Sequence, residues 1–466
     1  MQFNSAEFLK FFAAFLLLYH LVRGHLAARN ALVVGASYLF YGWWDYRFFA
    51  LLLGTSLLDY WVAQRLDRAD TALARRRWLR LSLVGNLGVL GVFKYCGFFA
   101  DTFAAVLARL GFEPHLPTLR LVLPVGISFY SFQTLSYTLD VYRRQIPPCR
   151  DLVAFLAYVA FFPQLVAGPI ERAGHLLPQF GRTRVITRDH LAEGIWLLLW
   201  GLFKKVVIAD NLAPLVDLVY QNPANAGPLV VLGTLAFGFQ IYADFSGYSD
   251  IARGLARVLG FDLRWNFNLP WRAHNLREFW QRWHVSLSTW LRDYLYLSLG
   301  GNRRGPGRTR LNLMLTMLLG GLWHGAAWHF LAWGAWHGGG LLAHRWWRDR
   351  RTGRFPRRRL GAWLLTMAFV LYGWLLFRAS SLGHAWELTR CVTRLETPPW
   401  AGSYLISLAV FTLPLVAMQL WQARRENLLV ALTLPRGALA ALEGGLLLAI
   451  AMFWQRGGVP FIYFQF

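Results

Sequence analysis

The chain has 466 residues, carries 48 Lys and Arg against 24 Asp and Glu for a formal net charge of +24, and is 56% hydrophobic with 15% charged residues. A disordered chain needs low hydrophobicity and a soluble domain carries about 25% charged residues, so this composition, with a mean hydropathy of +0.35, excludes both and points to a bilayer. The pI near 10.7 would suit a nucleic-acid binder, but the basic residues form short clusters between long apolar runs, as in the cytoplasmic loops of a polytopic protein, and no nucleic acid is expected as a partner.

The first apolar run, Phe11 to Val22, follows Lys10 as a signal peptide would. No small-residue cleavage pattern follows and further runs begin by Ala31, so it reads as the first membrane helix. Further runs cover Ala31 to Gly42, Tyr46 to Val62, Leu79 to Phe99, Leu121 to Val141, Leu152 to Val166, Leu191 to Val207 and Leu229 to Tyr242. Others follow at Leu311 to Trp323, Ala326 to Leu342, Leu360 to Phe377, Tyr404 to Leu420 and Leu439 to Phe453. They predict an all-α polytopic integral membrane protein with about 11 membrane helices plus short or re-entrant ones, the whole chain 1–466 forming a single domain. A crossing takes about 20 apolar residues, so the shorter runs must tilt, break or re-enter, which is tolerated at membrane depth only where protein or a water-filled cavity covers the backbone. A cavity within the bilayer is therefore expected.

Basic clusters place their loops inside the cell: Arg65 with Arg75, Arg76 and Arg77; Arg143 with Arg144; Arg182 with Arg184; Arg303 with Arg304 and Arg308; and Arg348 through Arg359. The stretch Leu311 to Trp347 lies between two of them and must enter and return on barely enough residues for two crossings. Its bend falls at Gly320 to Gly325 (GGLWHG), which puts His324 near mid-membrane at the turning point. Leu152 to Gly168, interrupted by Pro163 and Pro169, invites the same argument. An ionisable group at such depth marks a pathway or reaction site, although a histidine beside Trp323 can also be packing glue that bonds a helix carbonyl.

A second polar segment, Arg282 to Tyr294 (RWHVSLSTWLRDY), reads either as an interfacial helix or as part of a site. Two histidines with hydroxyl, indole and guanidinium neighbours suit acyl transfer, in which a base takes a hydroxyl proton and donors hold a developing oxyanion. Other constellations are weaker. His324, His329, His337 and His344 are spaced five, eight and seven apart with no i, i+4 pair and no acid among them, so no metal site is expected. Ser246, in Asp244 to Asp250 (DFSGYSD), lacks a G-x-S-x-G elbow and a nearby base, and its run reads equally as a polar helix break. Lys204 and Lys205 could meet donor phosphates or snorkel to the interface, and Arg303, Arg304 and Arg308 pose the same choice. Cys96, Cys149 and Cys391 form neither a CxxC pair nor a disulfide framework.

With these residues the chain resembles the membrane-bound O-acyltransferase family, in its bacterial branch serving exported polysaccharides such as alginate. The resemblance is carried by Leu123 to Tyr130 (LPVGISFY), Ala167 to Pro169 (AGP), Tyr242 to Asp250 (YADFSGYSD), Glu278 to His284 (EFWQRWH), Leu299 to Arg303 (LGGNR) and Gly320 to Gly325. It is heaviest over 121–347, with further pieces at Tyr38 to Trp44 and Phe461 to Phe466; Gln281 and Val285 depart from the pattern. The resemblance implies a ring of membrane helices around a thin centre where a cytoplasmic tunnel and an opposite funnel meet. It implies that His324 is the essential histidine, acting as general base or transient acyl carrier, and that His284 is the second characteristic position, orienting or stabilising the thioester carbonyl. It also implies acetyl-CoA as a donor substrate rather than a bound cofactor. The acceptor would be extracytoplasmic, often a partner acetyltransferase protein, and the location the bacterial inner membrane. The competing reading is a transporter or flippase whose intramembrane histidines relay protons; the paired half-repeats common in such proteins are not found.

Overall fold

The computed structural model describes residues 1–112, 122–350, 359–394, 396–454 and 460–462. The basic run 351–358, Leu121 and the terminal Tyr463 to Phe466 lie outside the described residues. Among the described residues every regular element is helical. The chain divides into two compact units, Met1–Thr187 with Leu255–Leu263, and Arg188–Gly254 with Arg264–Phe466.

The first unit holds α1 (Ala6–Val22), α2 (Leu26–Gly42), α3 (Phe49–Arg68), α4 (Ala72–Leu90), α5 (Cys96–Arg109), α6 (Ile127–Tyr142), α7 (Leu152–Ala160), α8 (Phe162–Leu165) and α9 (Ala173–Phe180). Side-chain oxygens cap several starts: Ser5 accepts from the Phe8 N–H, Thr71 from Ala74 and Asp151 from Val153 and Ala154. The buried Asp59 of α3 ties three helices together, accepting from Ser82 and from Asn86 Nδ2 (2.8 Å) on α4 and from Thr138 Oγ1 (3.0 Å) on α6. The run Leu152 to Val166 breaks at Phe161, two residues before Pro163, because Pro163 sits in the first turn of α8, where its missing N–H leaves no bond unmade.

The second unit holds α10 (Arg188–Leu202), α11 (Asp210–Gln221), α12 (Pro223–Ala226), α13 (Leu229–Val258) apart from its last turn, which belongs to the first unit, α14 (Leu276–Arg282), α15 (Val285–Trp290), α16 (Gly305–His324), α17 (Trp328–Arg350), α18 (Arg359–Arg378), α19 (Leu382–Cys391), α20 (Ala401–Arg425) and α21 (Arg436–Phe453). Glycines let α10 and α13 meet backbone to backbone: a Cβ on Gly201 would lie 2.7 Å from the Gly247 carbonyl oxygen, and one on Gly254 2.8 Å from that of Gly194.

The polar run Asp244 to Asp250 does not break its helix; it lies inside the continuous 30-residue α13. Its charges are neutralised from a wide π turn, Phe203–Ala209, that joins α10 to α11. Lys204 Nζ meets Asp250 Oδ2 at 2.7 Å and Ser246 Oγ at 2.9 Å, while Lys205 Nζ meets Asp210 and Asp244 at 2.8 Å each. Both lysines are buried, so they neither snorkel to the interface nor face a phosphate.

Five helices among the described residues are long and apolar enough to cross a membrane: the continuous Ala72–Arg109 rod of α4 and α5, α13, Leu360–Arg378 of α18, α20 and α21. The expected count of about 11 is not reached by this measure, because other expected spans are short or polar. Helices α1 and α2 have 17 residues each and α6 has 16, while α16 opens on the polar GPGRTR. Five apolar spans make this a multi-pass membrane protein.

Candidate active site

The stretch between the basic clusters folds as a hairpin of α16 and α17, and His324 is the last residue of α16. Gly325 takes an extended conformation (φ −161°) at its C-cap, and α17 begins at Trp328. The apolar part of α16 runs from Leu311, so His324 lies about 20 Å along it at 1.5 Å per residue, short of a 30 Å hydrocarbon layer. Glycines again permit the packing. A Cβ on Gly321 would collide with the Phe330 carbonyl, and one on Gly334 would lie 2.5 Å from the Met317 oxygen. This closeness sets the ring of Trp333 perpendicular to that of His324, centroids 5.0 Å apart, and Phe377 of α18 closes another side at 5.2 Å.

His284 joins α14 to α15 in a left-handed conformation, φ 42°. Asn266 holds the joint: its carbonyl accepts from the Val285 N–H (2.9 Å), its Oδ1 accepts from Ser286 Oγ (2.7 Å), and its Nδ2 donates to Ser249 Oγ (3.2 Å). Such backbone in a non-glycine residue is uncommon and persists where surrounding contacts impose it, frequently at functional sites. The buried His284 ring meets Phe245 edge-on at 4.6 Å and lies 5.8 Å from Trp323 and 6.5 Å from His324. The structure thus brings together the two histidines that the sequence singled out.

A cavity of about 710 Å³ reaches His324. Its wall includes His324, Gly320, Trp280 and Trp333 together with Arg277, Arg292, His344, Arg345 and Arg348; at about 1.5 Å per residue along α17, Arg345 and Arg348 lie roughly 18 to 22 Å from Trp333. Leu313, Met317, Gly320 and His324 line it along one face of α16, a run of about 16 Å. Pockets of 300–1,000 Å³ hold ligands of cofactor size, and one with guanidinium groups at one end and an imidazole at the other suits a long anionic molecule whose reactive end is uncharged. His284 is not among the lining residues; its ring lies 6.5 Å from that of His324, which is.

The other sequence candidates fall elsewhere. Arg303, Arg304 and Arg308 are exposed and outside the cavity wall, whose arginines come from α14, the segment after α15, and α17. Ser246 is bonded by Lys204, and His329 Nδ1 lies 3.2 Å from the Leu376 carbonyl oxygen. No three His, Cys, Asp or Glu residues are grouped as metal ligands among the described residues. The histidine spacing did carry a signal of another kind. Trp333, His337, Leu341, His344 and Arg348 recur every three or four residues and share one face of α17, directed at the cavity or its supporting layer. Trp280, Trp333, Arg277 and Arg345 were missed because indoles and arginines in a membrane sequence are read first as interfacial anchors.

Residues 138–385 match the family model described as MBOAT, membrane-bound O-acyltransferase family, a span that includes both histidines. The chain is 46% identical to the probable alginate O-acetylase of Azotobacter vinelandii over 83% of its own length and 77% of the relative's. It is 45% identical to the probable alginate O-acetylase of Pseudomonas aeruginosa (83% and 74% covered) and 37% identical to the peptidoglycan O-acetyltransferase of Helicobacter pylori (77% and 72%). The chain belongs to the membrane-bound O-acyltransferase family. It is a membrane acyltransferase.

Proposed function

We propose that the protein moves acetyl groups from acetyl-CoA, bound in the α14–α17 cavity from the cytoplasmic side, to a hydroxyl acceptor destined for O-acetylation of an exported polysaccharide. The observation that carries this reading is a single cavity with arginines at one end and His324 at the other. The arginines would take the phosphates of coenzyme A and the apolar wall of α16 its thiol arm, leaving the thioester beside the imidazole. The positive-inside bias supports a cytoplasmic location for the arginines. His324 acts as general base: the acceptor oxygen attacks the thioester carbon, its proton passes to the imidazole, the C–O bond forms, and the C–S bond breaks as the thiolate leaves with that proton. His284 is a positioning residue, fixing Trp323 and through it the base.

Alginate and peptidoglycan, named for the relatives, are both exported polymers, which supports an extracytoplasmic polysaccharide reached directly or through a partner acetyltransferase. The setting is the bacterial inner membrane. Family membership favours this chemistry over proton-coupled transport. The test is transfer of labelled acetyl from acetyl-CoA into exported polymer by membranes carrying the wild type, Arg345→Ala/Arg348→Ala or His324→Ala. Label that persists in the His324 variant would overturn the reading.

A further inference from the structure

We infer that Trp333 is a catalytic residue of this acyl transfer, its indole N–H stabilising the oxyanion that forms on the thioester carbonyl. The inference rests on the reading above and supplies what that reading leaves open, the group that meets the carbonyl oxygen. His324 is occupied with the acceptor proton, and His284 is not in the cavity wall.

Two indoles of that wall, Trp280 and Trp333, have buried N–H groups with no acceptor among the described residues. Buried donors in folded proteins are nearly always paired, so an unmatched one beside a reacting group suits a donor reserved for a ligand. The indoles of Trp196, Trp271 and Trp374 also lack acceptors among the described residues, but none of them lines the cavity. Trp333 is favoured over Trp280 by position. Its ring packs directly against His324 at 5.0 Å, and it is 2% exposed. It is also held on its other sides by His337 (4.9 Å), Phe377 (5.6 Å) and Trp280 (5.7 Å), so the donor is fixed before substrate arrives, as electrostatic stabilisation of a transition state requires.

The acceptor oxygen bonds to the thioester carbon as its proton passes to His324, and the carbonyl π pair moves onto the oxygen facing Trp333. When that pair returns, the C–S bond breaks and the thiolate takes the proton from the imidazolium.

The experiment compares full-length wild type and Trp333→Phe in membrane vesicles. The donors are acetyl-CoA and its dithioester analogue, in which a weakly accepting C=S replaces C=O. Phenylalanine keeps an aromatic ring and removes the N–H. Removal of one oxyanion donor lowers kcat by about 100-fold, and KM is expected to stay within about twofold because little of that bond is formed in the ground state. The wild-type preference for the oxo donor should fall at least about tenfold in the variant, since the two changes remove the same bond. A purely structural role for Trp333 would slow both donors alike. That result, or a variant rate within about threefold of wild type, overturns the assignment. If Trp333→Phe does not fold, 3-benzothienylalanine at position 333 keeps the bicyclic shape without the N–H and carries the same expectations. Failure of the acyl-transfer reading has a separate signature: acetyl transfer by the wild type that is absent or unchanged in His324→Ala. That outcome removes both assignments, whereas His324-dependent transfer with an unaffected Trp333→Phe removes this one alone.

Discussion

Replacing Lys205 by methionine should destabilise the second unit more than any other single surface-neutral change to the π turn. Lys205 Nζ lies 2.8 Å from both Asp210 and Asp244, and all three side chains are buried. Asp244 also accepts from the Ile462 N–H at 2.6 Å. Breaking a buried ion pair by removing one partner costs about 3–5 kcal/mol because it strands an uncompensated charge. Here one substitution strands two carboxylates on neighbouring helices, so the upper part of that range is expected. Neutralising the whole set should behave differently, since replacing a complete buried network by neutral groups is often harmless. The assay is thermal and denaturant unfolding of detergent-solubilised protein, read by retention of a monodisperse peak. Lys205→Met should lose stability by about 4 kcal/mol, and Lys205→Met/Asp210→Asn/Asp244→Asn should recover most of it. A Lys205→Met protein as stable as wild type, or a triple variant no better than the single, would refute the argument that these charges are held by one another.

Three further outcomes follow from the site. Gly334→Val inserts a branched side chain where even a Cβ would lie 2.5 Å from the Met317 oxygen, so α16 and α17 must separate. A loss of about 1–3 kcal/mol in unfolding and near-complete loss of acetyl transfer are expected. Arg345→Ala and Arg348→Ala remove guanidinium groups from the cavity wall. Each should raise KM for acetyl-CoA about tenfold with little change in kcat, and the increase should shrink at high salt. Asn266→Ala frees the joint that carries His284 by removing the bonds to Ser286 and Ser249. It should lower kcat while leaving KM unchanged, at a stability loss of about 1–3 kcal/mol.

The hairpin around His324 was legible because its signals are local: glycines flank the histidine, and basic clusters at both ends force the chain to return. The meeting of His284 with His324 was legible only as a family resemblance. In space it depends on a left-handed residue and on the Asn266 side chain, neither of which any periodicity encodes. The polar run in α13 was misread for a related reason. Asp244 and Asp250 look like helix breakers until Lys205 and Lys204 are placed beside them, and those partners lie some forty residues upstream in a π turn, where the ordinary 3.6-residue period no longer predicts facing. The number of spans was not legible, because an apolar run of 12 to 17 residues reads alike whether it crosses a membrane or packs inside a protein.

The central claim is that His324, in the wall of the arginine-lined cavity, carries the transfer of an acetyl group from coenzyme A. It is tested most directly by following radiolabel from acetyl-CoA into exported polysaccharide in membranes containing equal amounts of folded wild type or His324→Ala. The account predicts incorporation by the wild type and none above background in the variant. Equal labelling by both proteins would contradict it.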